Sequence, residues 1–328
     1  MADLSTSYMG IKLRSPIVVG ACALSKHVDQ IKQIEEHGAG ALVLKSLFEE
    51  QIQLERQELE DRLSAGSEFF AEATTHFAHL EHAGPKEHLY WVEQTRKAVK
   101  MPVIASLNAA NPGSWVDWAK QLEGAGIDGL ELNLFALGTR AEETGLQVEQ
   151  RLYEVVDGVL GKVKLPVSVK LSPHFTCLAN VAHTLDQRGV KGLVLFNRFF
   201  QPDIDVDAAA LVQRPHLSKP EEAMLPLRWV GLLSGRVKAD LIASTGIHSA
   251  STVVKMILAG ASAVQVVSAL YTHKVGFLKE LNGELGKWMD SKGHANLAAF
   301  RGKLSQHKLP DPTAYERAQY IKLLLGFD

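Results

Sequence analysis

Two lysines stand at the carboxyl ends of short apolar runs, where a lysine needs a partner. Lys170 follows LPVSV (165–169), and Lys45 follows ALVL (41–44). A lysine on a strand buried on both faces indicates an anion or an electron-rich ring beside it. A lysine at a strand end can also extend into solvent, but the recurrence of the pattern favours the first explanation. The two residues therefore predict a binding site for an anionic or aromatic group.

Other apolar runs also end in polar residues. These residues are Ser46, Asn108, Asn133 and Asn197, together with the turn Ser244-Thr245-Gly246. The carboxyl ends of parallel strands meet at one end of a barrel, so the pattern predicts a single site at that end.

Strand-sized apolar runs alternate with helix-sized segments along most of the chain. Eight strands, each followed by a helical segment, predict an α/β fold of the (β/α)8 TIM-barrel type. A hairpin is predicted at residues 4–15 and two short C-terminal helices beyond residue 293. We expect residues 1–328 to form one domain, interrupted by a long polar insertion at about 47–85 that has the character of a lid or binding element.

Composition limits the classes of function. The 328 residues are 46% hydrophobic and 22% charged, with a net charge of −2, which disfavours nucleic acid as the main partner. The longest apolar runs are strand-sized, and the N-terminus lacks the pattern of a signal peptide, so no membrane association is expected. Two cysteines are too few for a disulfide framework and favour a reducing cytoplasm. The partner expected from these features is a small-molecule substrate.

The turns after the seventh and eighth strands are rich in small residues. Thr245-Gly246 precedes a helix that begins near Ser249, and Ser268-Ala269 precedes another. Exposed backbone N–H groups and helix N-termini favour a phosphate, although tight βα turns produce the same pattern. A phosphate beside lysines and amides suits FMN. Lys170 would then lie near N1 and O2 of the flavin ring, where a cation stabilises the reduced, anionic form.

Five segments carry a resemblance to a known family. They are LVLKS (42–46), ELNL (131–134), VSVKLSP (167–173), LVLFNR (193–198) and STGIHSASTVVKMILAGASAVQVVSALY (244–271). In these segments the chain resembles the class 1 and class 2 dihydroorotate dehydrogenases, and more closely a branch described as dihydroorotate dehydrogenase-like. The resemblance covers most of the chain.

The resemblance implies an FMN-dependent oxidoreductase that moves a hydride between flavin N5 and a CH–CH bond beside a carbonyl. In the family this reaction converts dihydroorotate to orotate in pyrimidine (UMP) biosynthesis. It implies FMN contacts at Ala21, Lys45, Ser46, Asn108, Asn133, Lys170, Asn197, Thr245, Gly246 and Ser268, next to Ala269. It implies substrate contacts at Lys45, Asn133 and Asn197, with Lys170 and Asn133 also acting in catalysis.

Two segments depart from the family pattern. The family carries Asn-x-Ser-Cys-Pro-Asn or Asn-x-Ser-Ser-Pro-Asn after the fourth strand, and its Cys or Ser accepts the proton from the substrate. This chain has NLFALG (133–138), so Ala136 stands at the position of the base. The family's substrate loop, Asn-Ser-Met-Gly-Leu-Pro-Asn, is replaced by HFAHLEH (76–82). Dihydroorotate and another small molecule therefore both stay open as the substrate.

The histidines of HFAHLEH admit three interpretations. A spacing of three residues does not place them on one helix face as metal ligands, so no metal site is predicted. One of them, with His76 the candidate, can replace the missing base because imidazole titrates near neutral pH. They can also be solvated loop residues. Cys22 is a further candidate for the proton acceptor or a buried structural thiol.

Two other classes of function stay open. A flavin-binding electron-transfer subunit could keep the cofactor without the base, and an aldolase-type barrel could use Lys170 to form a Schiff base. A protein coloured by bound FMN would exclude the aldolase. A homodimer and an electron-transfer partner protein are both left open as assemblies.

Overall fold

The computed structural model describes residues 2–48, 84–108, 112–134, 138–199, 201–212 and 216–316, with only the backbone at 48, 84–87 and 112. Thirteen strands lie in these ranges. They are β1 (Thr6–Tyr8), β2 (Ile11–Leu13), β3 (Ile17–Val19), β4 (Ala41–Val43), β5 (Leu47–Phe48), β6 (Val103–Asn108), β7 (Gly129–Asn133), β8 (Val167–Leu171), β9 (Gly192–Leu195), β10 (Asp203–Asp205), β11 (Ala210–Val212), β12 (Asp240–Ser244) and β13 (Ala263–Val266).

Eight of these strands close into a parallel barrel, as the alternating pattern predicts. The order around the barrel is β3, β4, β6, β7, β8, β9, β12 and β13, and β13 pairs again with β3. The short strand β5 extends the sheet by pairing with the end of β6. The TIM-barrel prediction is therefore confirmed.

Nine α-helices in the described ranges surround this barrel. They are α1 (Val28–Glu36), α2 (Gly84–Ala98), α3 (Pro112–Gly124), α4 (Gly145–Leu160), α5 (Leu178–Gln187), α6 (Met224–Leu233), α7 (Ala250–Ala259), α8 (Ser268–His273) and α9 (Phe277–Ser291). The sequence predicts a helix after Ser268-Ala269, whereas the short helix α8 already begins at Ser268 and is separate from α9.

The predicted N-terminal hairpin, formed by β1 and β2, closes one end of the barrel. Tyr8 is fully buried against the first residues of the strands. A Cβ at Gly192 would lie 2.7 Å from the Tyr8 ring, so this position requires glycine. The Met9 amide also donates a hydrogen bond of 2.8 Å to Oδ2 of Asp240, the first residue of β12. The hairpin covers the amino ends of the strands and leaves their carboxyl ends as the mouth.

The barrel interior changes from apolar to polar toward this mouth. The apolar part contains Val18, Ala41, Val43, Ile104, Val194, Ile242 and Ala263, packed with Tyr8, Met9 and Leu13 of the hairpin. Buried polar side chains, among them Glu131, Lys170 and Gln265, also stand on the barrel strands. A second, larger apolar core lies between the strands and the helices.

Two regions differ in detail from the sequence prediction. The excursion after β9 contains a small antiparallel hairpin, β10 and β11, whose Ile204 and Leu211 are exposed. The tail beyond residue 293 forms single 3-10 turns in its described part, at Leu297–Ala299, Gln306–Lys308 and Pro312–Tyr315. No helix among the described residues is long and apolar enough to cross a bilayer. Residues 49–83 of the predicted insertion lie outside the described ranges.

Candidate active site

The carboxyl ends of the barrel strands surround a cavity of about 190 Å³. It is lined by Ala21, Lys170, Phe196, Asn197, Arg198, Ser218, Ser244, Thr245, Gly246, Ile247, Gln265, Val267 and Ser268. The sequence predicts six of these as site residues: Ala21, Lys170, Asn197, Thr245, Gly246 and Ser268. The lining comes from loops that are far apart in the chain, and parallel strand direction brings them together.

Lys170 lies inside the mouth and not in solvent. Its side chain stands on β8 with only 8% of the residue exposed. The ammonium donates a hydrogen bond of 3.2 Å to Oε1 of Gln265 on β13, and it lies 3.9 Å from Oε1 of Glu131 on β7. Lys170 therefore presents a positive charge at the cavity while two buried side chains hold it from the neighbouring strands.

Glu131 and Gln265 form part of this arrangement, although the sequence analysis did not select them. Gln265 Nε2 donates a hydrogen bond of 2.5 Å to Oε2 of Glu131, and both residues are buried. Burial raises the pKa of the Glu131 carboxyl, while the charge of Lys170 and the hydrogen bond from Gln265 lower it. Three side chains on three strands thus form one connected polar group.

Asn133 and Asn197 come together at the ends of β7 and β9. The Asn197 side-chain amide donates a hydrogen bond of 2.8 Å to Oδ1 of Asn133, and the Asn197 backbone amide donates to the carbonyl of Leu171 at 2.7 Å. The side-chain amides of Asn133 and Asn197 are half-buried, and together they offer both hydrogen-bond donors and acceptors. This pair is suited to recognise a planar polar ring.

The other predicted contacts lie around β4 and β6. The Lys45 amide donates to Oγ of Ser25 at 2.8 Å, and the hydroxyls of Ser46 and Ser106 are 2.7 Å apart. Asn108 is half-buried at the end of β6, opposite Phe48. These residues lie outside the cavity lining, in and after the strands β4 and β6.

The two predicted phosphate turns lie next to each other at the mouth. Thr245 and Gly246 have φ of +82° and +75°. A Cβ at Gly246 would lie 2.2 Å from the backbone nitrogen of Ala223, so glycine is required there. Ser249 caps α7 by accepting a hydrogen bond from the Thr252 amide at 3.2 Å, and the buried Ala269 lies in the first turn of α8.

Segment 216–219 connects the two turns through hydrogen bonds, and the sequence analysis did not predict this connection. The Ser218 amide donates to Oγ of Ser268 at 2.9 Å, and the Gly246 amide donates to Oγ of Ser218 at 3.4 Å. Arg198 donates a hydrogen bond to the backbone carbonyl of His216. Its Nε also donates to Oε2 of the Glu222 carboxylate, at 2.9 Å. The excursion has no motif that relates it to the turns, so only the fold reveals the connection.

Cys22 lies half-buried beyond Ala21 at the end of the first barrel strand. Burial raises the pKa of its thiol, so the neutral thiol predominates near neutral pH. A neutral thiol is a poor proton acceptor, so the burial of Cys22 favours its interpretation as a structural residue.

His88 on α2 is expected to make the folded state less stable at acid pH. Burial, with the charge of Lys45, lowers its pKa to about 4. The unfolded state then binds the proton more readily, so stability is present near neutral pH and is lost as the pH falls below about 6.5 toward 4. After a discount for partial exposure, we expect a loss of about 1–2 kcal/mol between about pH 7 and about pH 5. Urea unfolding at the two pH values measures it.

His88→Gln is expected to remove most of that acid sensitivity, since no imidazole is left to protonate. His183→Gln, at an exposed position of α5, serves as the control and should keep the native dependence. Equal pH dependence in native protein and His88→Gln would mean that other groups cause it.

Some predicted residues cannot be placed. His76, His79, His82 and Ala136 lie outside the described residues. Within the described ranges, no group of three or more His, Cys, Asp or Glu side chains is arranged to hold a metal ion.

Comparison with known proteins gives a consistent family. The sequence profile of the dihydroorotate dehydrogenase family matches residues 77–289. The chain is 27% identical over 298 residues to dihydroorotate dehydrogenase B (NAD(+)), catalytic subunit, of Thermoplasma volcanium, covering 89% of this chain and 95% of that protein. Proteins of the same description from Pyrococcus furiosus and Methanocaldococcus jannaschii are each 25% identical. These alignments cover 92% of this chain and 98% of the Pyrococcus protein, and 86% and 92% for Methanocaldococcus.

Proposed function

The chain belongs to the dihydroorotate dehydrogenase family, and from this premise we propose that it is an FMN-dependent oxidoreductase acting on a CH–CH bond beside a carbonyl. Dihydroorotate is the first substrate to test, because the relatives are described as dihydroorotate dehydrogenases. The observation that carries the proposal is Lys170, a buried ammonium facing a cavity at the carboxyl ends of the strands.

FMN fits the residues of this mouth. Lys170 supplies the cation that an electron-accepting ring requires. The turns at Thr245-Gly246 and Ser268-Ala269 lie beside the starts of α7 and α8. They would hold the phosphate through backbone N–H groups and the Ser268 hydroxyl, with the N-terminus of α7 nearby. When bound, FMN accepts the hydride, and this chain's residues bind it, orient it and exclude water.

Substrate recognition is proposed for Asn133, Asn197 and Lys45. The hydrogen-bonded amides of Asn133 and Asn197 present donors and acceptors in a fixed arrangement, which suits the C=O and N–H groups of a pyrimidine ring. Lys45, two residues after the end of β4, would supply a cation for a carboxylate group of the substrate.

The residue that accepts the substrate proton is a separate proposal. Ala136 has no proton-accepting atom, so we assign the role to His76 of the 47–85 segment. A protein partner that takes the electrons is also proposed, because the relatives are named as catalytic subunits. A homodimer and a cytoplasmic location belong to the same proposal.

Purified protein is expected to be yellow and to release FMN on acid denaturation. Ser268→Asp places a carboxylate against the proposed phosphate position, and we expect it to weaken FMN binding by about tenfold or more, since roughly 1.4 kcal/mol of repulsion suffices. Titration of the apoprotein with FMN measures the affinity.

Ser7→Asp is the matched control, because it adds the same charge at an exposed position of β1, in the hairpin at the opposite end of the barrel. A colourless protein that does not bind added FMN would overturn the proposed function. Equal affinity in both variants would move the phosphate away from Ser268. Anaerobic mixing with dihydroorotate then tests the substrate through bleaching of the flavin.

A further inference from the structure

Glu131 is a buried acid for which the proposed reaction has no use. It stands on β7 with its side chain fully buried. Its Oε2 accepts the hydrogen bond from Gln265, while its Oε1 has no hydrogen-bond donor among the described residues. Among the described residues, the cation that pairs with Oε1 is the ammonium of Lys170, at 3.9 Å.

The contacts of Glu131 favour the ionised form. Gln265 uses its amide oxygen to accept from Lys170 and its amide nitrogen to donate to Glu131. Glu131 is therefore an acceptor at Oε2 and faces a cation at Oε1. A carboxylate is stable in such a buried position only while a cation compensates its charge.

The same ammonium has a second task at the mouth. Under the proposed function, Lys170 faces the flavin ring and stabilises the negative charge that appears there on reduction. One positive charge would then be shared by two negative groups. A net negative charge in a poorly solvated site is unfavourable, and the buried carboxyl is the group that can remove it by binding a proton.

We propose that Glu131 is a positioning residue that holds the Lys170 ammonium while the flavin is oxidised and takes up one proton when the flavin is reduced. This inference rests on the proposed function. Two electrons and one proton enter the ring from the reductant and solvent, which leaves the ring with one negative charge. A second proton from solvent converts the Glu131 carboxylate to the neutral acid. The net charge of the site is the same before and after.

The other charged and titratable groups around Glu131 do not substitute for it. Tyr8 approaches from the hairpin side, and burial raises the pKa of its phenol well above the usual value, so it stays neutral. The charge of Asp240 raises the pKa of the Tyr8 phenol further and so also favours its neutral form. Cys22 lies near Lys170, and its raised pKa keeps the thiol neutral. The neighbouring side chains Ser168 and Gln265 carry no charge.

The test is a potentiometric titration of bound FMN against external reductant at several pH values across the neutral range. For the native holoprotein, the dependence of the midpoint potential on pH is expected to correspond to two protons per two electrons. For Glu131→Gln, which cannot take up the proton, it is expected to correspond to one. The midpoint potential of the variant is also expected to be higher at the alkaline end, because Lys170 then serves the flavin alone.

Two further measurements keep the outcome decisive. Glu280→Gln, an exposed position on α9, should retain the native proton count. Infrared difference spectra of the native holoprotein, reduced minus oxidised, should show the carbonyl band of a newly protonated carboxyl group, even if Glu131→Gln does not fold. Equal proton counts in native protein and Glu131→Gln, or no such band, would overturn the inference and leave the proposed function intact. Failure to bind FMN would overturn both.

Discussion

Replacing Lys170 by methionine is expected to lower the midpoint potential of bound FMN by several tens of millivolts. The cation and the negative charge of the reduced ring at ~4 Å attract by about 4 kcal/mol at an effective dielectric near 20. That energy corresponds to roughly 90 mV for a two-electron couple, and desolvation reduces it. Binding of reduced FMN should therefore weaken by about tenfold or more relative to oxidised FMN. Potentiometric titration, with separate affinities for the two redox states, measures the effect.

The ion pair with Glu131 dictates the controls for this experiment. Removing the ammonium alone leaves a buried carboxylate without its cation, which costs about 3–5 kcal/mol of stability in comparable cases. The double variant Lys170→Met/Glu131→Gln removes both charges, and its comparison with Glu131→Gln alone isolates the effect of the lysine on the flavin. Lys191→Met, at an exposed position before β9, controls for loss of any lysine. An unchanged potential in both Lys170 variants would place the ammonium away from the ring.

The barrel could be predicted because each strand carries its own signal. The segments AGIDGLEL, RGVKGLVL and AGASAVQV each combine a helix end, a glycine and a β-branched or leucine-rich strand. These local patterns fix the strand positions, and the parallel βα order fixes the direction of every strand end. Lys170, Asn133 and Asn197 follow from the same logic, since each ends a buried run.

Glu131 and Gln265 were missed although the sequence contains a signal for them. Side chains alternate across a strand, so Glu131 faces the same side as Asn133, two residues later on β7. Lys170 is on the neighbouring strand β8, directly opposite Asn133. A charged residue inside GLELN and an amide inside AVQVV could therefore have been assigned to the barrel interior. The pairing of Gln265 with Lys170 could not, because it depends on closure of the barrel between strands 95 residues apart.

The segment between β9 and β12 marks where sequence reasoning ends. Its small hairpin exposes Ile204, Val206 and Leu211, so burial does not impose the usual alternation of apolar and polar residues. Ser218 contacts the turns near α7 and α8, and Arg198 binds the His216 carbonyl of the same segment, through hydrogen bonds that no local pattern encodes. The local sequence predicts helices and strands, whereas these hydrogen bonds form only when distant segments meet in the tertiary fold.

His76→Gln is expected to slow single-turnover reduction of the flavin by dihydroorotate by ~10²–10⁴-fold, the usual contribution of a positioned general base. The reason is that Ala136, at the family's base position, cannot accept a proton. His79→Gln and His82→Gln are matched controls in the same segment and should retain the native rate. The native rate should rise with pH, because an imidazole accepts a proton only in its neutral form, and this rise should vanish in His76→Gln.

The family pattern provides a second arm for the same experiment. Ala136→Cys restores the residue that removes the proton in family members, although Phe135, Leu137 and Gly138 around it also differ. If His76 is the base, Ala136→Cys should rescue part of the rate in the His76→Gln background and have little effect in the native protein. A slow native rate that only Ala136→Cys raises would show that this chain lacks a base for dihydroorotate. No reduction in any variant would point to a substrate other than dihydroorotate.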